Sequence, residues 1–221
     1  INPNENSCQT CPQGLKCNGT AKVVGRVQGS RWVVRGDKYE LESCPDRYQR
    51  VNTEAAGNVA LQHCLPCKSD EFIIDPNSHS CQRCPQGLIC DGSSTVTVLV
   101  PGSEWEVWDY RYELVSCPSG YELMNTEKVG KDPVKQHCRR CDPVDQFIID
   151  PNEHSCQRCP QGLKCDGTSF VIGIPGSKWV ANGEIYELHS CPGGHARNSR
   201  LTDPLMEATK QHCLKCKEKE Y

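Results

Sequence analysis

One arrangement of six cysteines is written three times along this chain. It runs Cys8-x2-Cys11-x5-Cys17-x26-Cys44-x19-Cys64-x2-Cys67, then Cys81, Cys84, Cys90, Cys117, Cys138 and Cys141, then Cys156, Cys159, Cys165, Cys191, Cys213 and Cys216. The first cysteines of successive copies are 73 and 75 residues apart, and the grid accounts for all 18 cysteines in 221 residues. A fixed period of this kind is the mark of a repeat architecture. Each copy is poor in core formers, with Phe three times and Met twice in the whole chain. Burial alone rarely holds so small a unit together, whereas a disulfide closing a loop of roughly 17 residues contributes about 3 kcal/mol. The expectation is a small disulfide-rich, mainly β fold. Three tandem cysteine-rich repeats, residues 1–72, 73–147 and 148–221, would stack into an elongated rod.

An even, regular cysteine grid belongs to an oxidising compartment, so the chain is expected to be secreted and extracellular or at the cell surface. The sequon Asn18-Gly19-Thr20 fits that placement, with Asn18 as a glycosylation site. The corresponding residues in the other copies are Asp91 and Asp166, so one copy in three would carry this glycan. The net charge of -3 is spread without a basic stripe, which argues against a nucleic-acid partner. No apolar run is long enough to span a membrane.

Within a copy, Pro12 and Gly14 (Pro85 and Gly87, Pro160 and Gly162) mark a tight turn between cysteines, and Asn18-Gly19, Asp91-Gly92 and Asp166-Gly167 a second. A β-branched stretch follows (23–27, 96–100, 170–174). Then come alternating pairs: Trp32, Val34 with Tyr39, Leu41; Trp105, Val107 with Tyr112, Leu114; Trp179 with Tyr186, Leu188. Alternation around a polar turn is a hairpin signal, and the reading is a three-stranded antiparallel meander. Its Trp and Tyr would share one face and cover a disulfide. Trp108 has no counterpart and is expected to be exposed. The stretch before Gln62, Gln136 and Gln211 varies most and reads as a surface loop.

Six cysteines allow 15 pairings. Two CxxC pairs around a short linker suggest Cys64–Cys81 and Cys67–Cys84, with Cys90–Cys117 closing the meander. The same logic gives Cys138–Cys156, Cys141–Cys159, Cys165–Cys191 and Cys17–Cys44. Cys8, Cys11, Cys213 and Cys216 are then left as inter-segment disulfide candidates. The rival is closure of all six cysteines inside each copy. The linkers CKSDEFIIDPNSHSC and CDPVDQFIIDPNEHSC also reappear when the last residues, CKEKEY, are read into the first, INPNENSC. The chain therefore reads as a window on a longer periodic protein, or as a protomer whose tail docks on the next head; a three-copy protein trimmed at both ends is the alternative.

QHCLPC with SCQRCPQGLIC, and QHCRRC with SCQRCPQGLKC, resemble the ephrin-receptor-like and growth-factor-receptor-like cysteine-rich modules of long extracellular proteins, many from protists and algae. The likeness covers the linker half of each copy; the inserted hairpin segment lies outside it. It implies an extended extracellular architecture without catalysis. The function expected is that of a structural repeat protein, a segment or protomer of a head-to-tail fibre, filament or stalk. Its partners would be further copies of itself, or the continuation of the same repeat chain, together with glycans. A receptor or adhesion ectodomain binding a protein or glycan is the alternative.

Zinc is the main chemical competitor, since CxxC-x13-CxxC is plausible ribbon spacing and His63, His137 and His212 each precede a cysteine. It would strand Cys90 and Cys117 as spare thiols, so no cofactor is expected. Redox CxxC chemistry lacks its βαβ setting. Arg35-Gly36-Asp37 is explained by turn formation, as are Asp75, Asp150 and Asn2 in the Asp-Pro-Asn linkers, which could otherwise ligate calcium. No catalytic residues are identified, and the chain is read as a non-enzyme.

Overall fold

The computed structural model describes residues 8–20, 22–53, 58–126, 132–198 and 208–218. The linker residues Ile1, Asn2 and Tyr221 lie outside these, as does most of the variable stretch before Gln211. The chain divides into two compact units, residues 1–99 with 107–112, and residues 100–106 with 113–221. The regular structure of both is almost wholly β. Eleven two-stranded sheets are formed among the described residues, and helix is confined to single turns such as Val59–Leu61 and Pro133–Lys135. Asn58 and Asp132 cap those two turns through their side-chain oxygens.

In the first unit, Leu15–Cys17 pairs antiparallel with Val23–Arg26, and Arg31–Arg35 with Lys38–Ser43. Tyr48–Val51 pairs with His63–Pro66, Glu71–Phe72 with Gln82–Arg83, and Leu88–Ile89 with Thr97–Val98. In the second unit the pairs are Tyr121–Met124 with His137–Arg140, Gln146–Phe147 with Gln157–Arg158, and Leu163–Cys165 with Val171–Gly173. Lys178–Asn182 with Ile185–Ser190 and His195–Arg197 with Cys213–Lys215 complete it.

The expected three-stranded meander is not formed. The β-branched stretch Val23–Arg26 turns back onto Leu15–Cys17 instead of joining the Trp/Tyr hairpin. The reason is local. The Pro12 turn closes with Leu15 N–H donating to the Pro12 carbonyl at 2.9 Å, which presents Leu15–Cys17 as the nearest open edge.

The Trp/Tyr hairpin itself has the alternation its sequence demands. Trp32 stands opposite Leu41 and Val34 opposite Tyr39; Trp179 stands opposite Leu188. Leu41 is buried with Cys44 and Cys64, and Trp32, Val27 and Tyr48 pack over them. The second unit repeats this with Leu114, Cys117 and Cys138 under Trp105, Val100 and Tyr121. Trp32 and Trp105 therefore cover disulfides. Gly14 is required by this packing: a Cβ there would lie 2.6 Å from the Trp32 ring, and at Gly162 2.7 Å from the Trp179 ring.

A glutamine, buried in the first two copies and partly buried in the third, ties each hairpin to a strand that follows. The Leu41 N–H donates to Gln62 Oε1 at 2.8 Å, Leu114 N–H to Gln136 at 2.9 Å and Leu188 N–H to Gln211 at 2.5 Å. An unmet buried donor is costly, so the Gln before each His-Cys is a packing requirement.

Candidate functional site

Each linker between sequence repeats buries two apolar residues, while the residues on either side of them are partly or fully exposed. Phe72, Ile73, Phe147 and Ile148 are 2, 0, 1 and 1 % exposed. Phe72 meets the Tyr112 ring edge-on at 5.2 Å, and Phe147 meets Tyr186 at 5.0 Å. The main chain is laced to the next copy as well. Gly92 N–H donates to the Glu71 carbonyl and Ile73 N–H to that of Ser93; Gly167 and Gln146, Ile148 and Thr168 repeat the arrangement. Asp75 and Asp150 fold the linker back by accepting the N–H of Asn77 and Asn152, each at 2.9 Å. Those asparagines then accept the N–H of Cys44 and Cys117 at 3.0 Å. The Asp75 carboxyl is held below its ordinary value by hydrogen bonds from the Ser78 hydroxyl and the Asn77 N–H.

Eight disulfides are formed, and their pairing is not the one expected from the spacing. Each sequence repeat closes a short loop (Cys11–Cys17, Cys84–Cys90, Cys159–Cys165) and a longer one (Cys44–Cys64, Cys117–Cys138, Cys191–Cys213). The sixth cysteine crosses the linker to the first cysteine of the next repeat, as Cys67–Cys81 and Cys141–Cys156. None of the pairs Cys64–Cys81, Cys67–Cys84, Cys90–Cys117, Cys17–Cys44, Cys138–Cys156, Cys141–Cys159 or Cys165–Cys191 is present. Register explains part of this. With Glu71 opposite Arg83, Cys84 faces Asp70, whose carbonyl accepts its N–H at 2.9 Å, and Cys67 is left out of reach of Cys84. The Pro85–Leu88 turn meanwhile brings Cys90 back to Cys84. Of the four inter-segment candidates, Cys11 and Cys213 are bonded within the chain. Cys8 and Cys216 are the free cysteines.

Asn18 is exposed, and its Oδ1 accepts the Thr20 N–H at 3.2 Å and the Thr20 hydroxyl at 2.6 Å. Asp166 makes the same turn with Thr168. In Asp91 and Asp166 the hydroxyl and main-chain bonds from Ser93 and Thr168 lower the carboxyl pKa.

The exposed hairpin tip of the second repeat differs from its counterparts. Trp108 is 70 % exposed. Asp109 and Tyr110 both adopt positive φ, 46° and 59°, where glycine occupies the first turn position of the other copies. An aromatic residue in that region is strained. The Tyr110 ring stacks on His79 at 3.6 Å, and the Tyr110 carbonyl accepts from Gln82 Nε2 at 2.7 Å.

The side chains of Cys67, Glu71 and Cys81 come within 4.8 Å of one another. Two of them are joined as a disulfide, so the group offers one carboxylate and no thiolate. The four cysteines of the CxxC-x13-CxxC spacing are divided among three disulfides. His63, His137 and His212 each place Nδ1 2.8 Å from a main-chain carbonyl two residues earlier. Arg35, Gly36 and Asp37 lie at a hairpin turn, with Arg35 facing Glu40 at 3.5 Å and Asp37 accepting from Gln9 Nε2 at 2.8 Å.

Sequence reasoning missed the buried Gln62 and Gln136, the linker asparagines and Glu122. The Glu122 carboxylate is 2 % exposed, accepts the Cys156 N–H at 2.6 Å and pairs with Arg139. The recurring QHC and DPN strings carried the signal for the first two. Comparison of the chain with protein-family models, curated proteins and solved structures finds no match to any of them.

Proposed function

We propose that this chain is an extracellular structural repeat protein, a segment or protomer of a head-to-tail fibre or stalk. The observation that carries the reading is that each linker, ordinarily the loosest part of a repeat array, is here anchored by a buried apolar pair and cross-linked by a disulfide. Phe72–Ile73 and Phe147–Ile148 form core, and a disulfide spans each linker. A protein that transmits load along its length needs stiff joints between repeats more than an open cleft. Eight disulfides fit an oxidising compartment, and no helix among the described residues is long and apolar enough to cross a membrane. The likeness of the linker motif to ephrin-receptor-like modules supports the same placement.

Electron microscopy of the purified, unreduced protein tests this. Elongated particles that associate end to end are expected. Compact, monodisperse particles across the micromolar range would sink the reading.

The receptor reading draws on a separate observation, the exposed Trp108 beside the strained Asp109–Tyr110 turn. Glycan-array or pull-down binding that Trp108→Ala abolishes would favour it.

A further inference from the structure

We infer that Cys216 of one copy of this chain forms a disulfide with Cys8 of the next, closing a joint of the same design as those inside the chain. This deepens the structural reading above and rests on it. In sequence, Cys8 corresponds to Cys81 and Cys156, and Cys216 to Cys67 and Cys141. The internal members of these two sets are bonded to each other, Cys67 to Cys81 and Cys141 to Cys156. The two outer members are the free cysteines. They are complementary halves of one bond.

The surfaces around them support the same conclusion. Gly92 and Gly167 are buried, with the Cys67 and Cys141 carbonyls 3.3 and 3.2 Å from where a Cβ would stand. The corresponding Gly19 is exposed, with nothing within 4 Å among the described residues. Gly120 is likewise buried against Thr168 and Gly167, whereas its counterpart Gly194 is exposed, with nothing within 4 Å among the described residues. Cys44 and Cys117 are buried beneath the linker asparagines, and Cys191 is only partly so. Head and tail thus present the two uncovered faces of a joint that occurs twice within the chain.

Charge is compatible too. The first internal joint pairs Arg47 with Asp91; at the joint between copies the corresponding residues are Gly194 and Asn18, neither charged. The small Gly193–Gly194 pair leaves room for a glycan on Asn18. Ala196 stands where Gln49 and Glu122 accept the N–H of Cys81 and Cys156, so this joint has one hydrogen bond fewer and depends more on its disulfide.

The chemistry is thiol–disulfide exchange. The Cys216 thiolate attacks a disulfide of an oxidant, either oxidised glutathione or a protein disulfide, and expels one thiolate. The Cys8 thiolate then attacks the mixed disulfide and expels the second. The two cysteines lose two electrons as their S–S bond forms, and the oxidant takes up those electrons and leaves as two thiols.

Single variants Cys8→Ser and Cys216→Ser of the whole chain test this in a glutathione redox buffer, read on non-reducing gels. Neither removes an existing disulfide, so folding is not at stake. The wild type should give a ladder of multiples that collapses on reduction. Each variant alone should stay monomeric, and an equimolar mixture should give a dimer and nothing larger, with a Cys8–Cys216 peptide on mapping. Persistent free thiols in the wild type, a Cys8–Cys216 bond closed within one monomer, or a dimer of Cys8→Ser alone would each overturn the inference. Elongated particles with free thiols would overturn the covalent joint while leaving the structural reading standing; a ladder whose linked copies collapse into compact clusters instead of end-to-end rods would do the reverse.

Discussion

The phenol of Tyr112 donates to the main-chain carbonyl of Ser94 at 2.8 Å, and the same ring takes the edge of Phe72. Tyr186 repeats both contacts with Ser169, at 2.6 Å, and with Phe147. One residue type thus closes each linker over its apolar core and also satisfies the loop beside it.

Burial raises the pKa of Tyr112 and Tyr186 above the ordinary 10.0. The folded state then holds these protons more tightly than the unfolded one. Their contribution to stability is complete below pH 10 and is lost as pH rises through the raised folded values. In a rapid alkaline titration followed by phenolate absorbance, Tyr112 and Tyr186 should ionise above the ordinary value of 10.0. Tyr112→Phe should remove one late step and cost about 1 kcal/mol. Ionisation of both at the ordinary value of 10.0 would show the linker cores to be open to water.

Phe147→Ala should destabilise the second unit by about 3–5 kcal/mol, the usual cost of deleting a buried aromatic ring. Urea unfolding at intact disulfides measures it. Gln136→Leu strands the buried Leu114 N–H and should cost about 1–3 kcal/mol, with faster amide exchange at Leu114.

At low pH the linker turns should loosen. The carboxyl pKa of Asp75 is lowered by its hydrogen bonds, so its contribution is present above the unfolded value of 3.8 and is lost as pH falls through the lower folded value. Asp75→Asn keeps an accepting side-chain oxygen without the titration, and asparagine stands at the corresponding position 2 of the sequence. Its thermal midpoint should fall less than that of the wild type between pH 4 and pH 2. Identical falls would remove Asp75 from the acid response.

The hairpins and the cysteine grid were legible because alternation and spacing are local. Trp32 faces Leu41 for the same reason that they alternate in sequence. The choice among pairings was not local. Whether Cys84 meets Cys67 or Cys90 depends on the register of Glu71 against Arg83 and on a turn closed at Pro85, and six cysteines at regular spacing do not encode either. The strand Val23–Arg26 failed in the same way: its composition fixed that it would pair, and the Pro12 turn decided with what. Glu122 was illegible because a charged residue in an alternating strand ordinarily faces water; here Arg139 and the Cys156 N–H hold it inside.

Disulfide loops of different length should contribute unequally. Cys44–Cys64 closes a separation of 20 residues and Cys84–Cys90 one of 6. In the chain-entropy account these contribute about 3 and about 2 kcal/mol. Paired Cys→Ala variants at each site should therefore differ by about 1 kcal/mol by this measure, with the longer loop the costlier. The Cys44–Cys64 variant also uncovers the Trp32 face, which widens the gap. A larger loss from the short loop would mean that the Pro85 turn depends on its staple to form.

Trp105 and Trp108 sit three residues apart in one strand and should respond in opposite ways to substitution. Trp105 packs over Leu114, Cys117 and Cys138 and donates Nε1–H to the Ser103 hydroxyl at 3.2 Å, so Trp105→Ala should cost about 3–5 kcal/mol. Trp108 is exposed, and Trp108→Ala should fall within about 0.5 kcal/mol of wild type. Iodide quenching separates the two in the native protein. The quenchable emission should disappear in Trp108→Phe, while the emission of the disulfide-covering tryptophans stays protected until the protein unfolds. If Trp108→Ala destabilises as much as Trp105→Ala, the hairpin tip is packed rather than free, and the receptor reading loses its one observation.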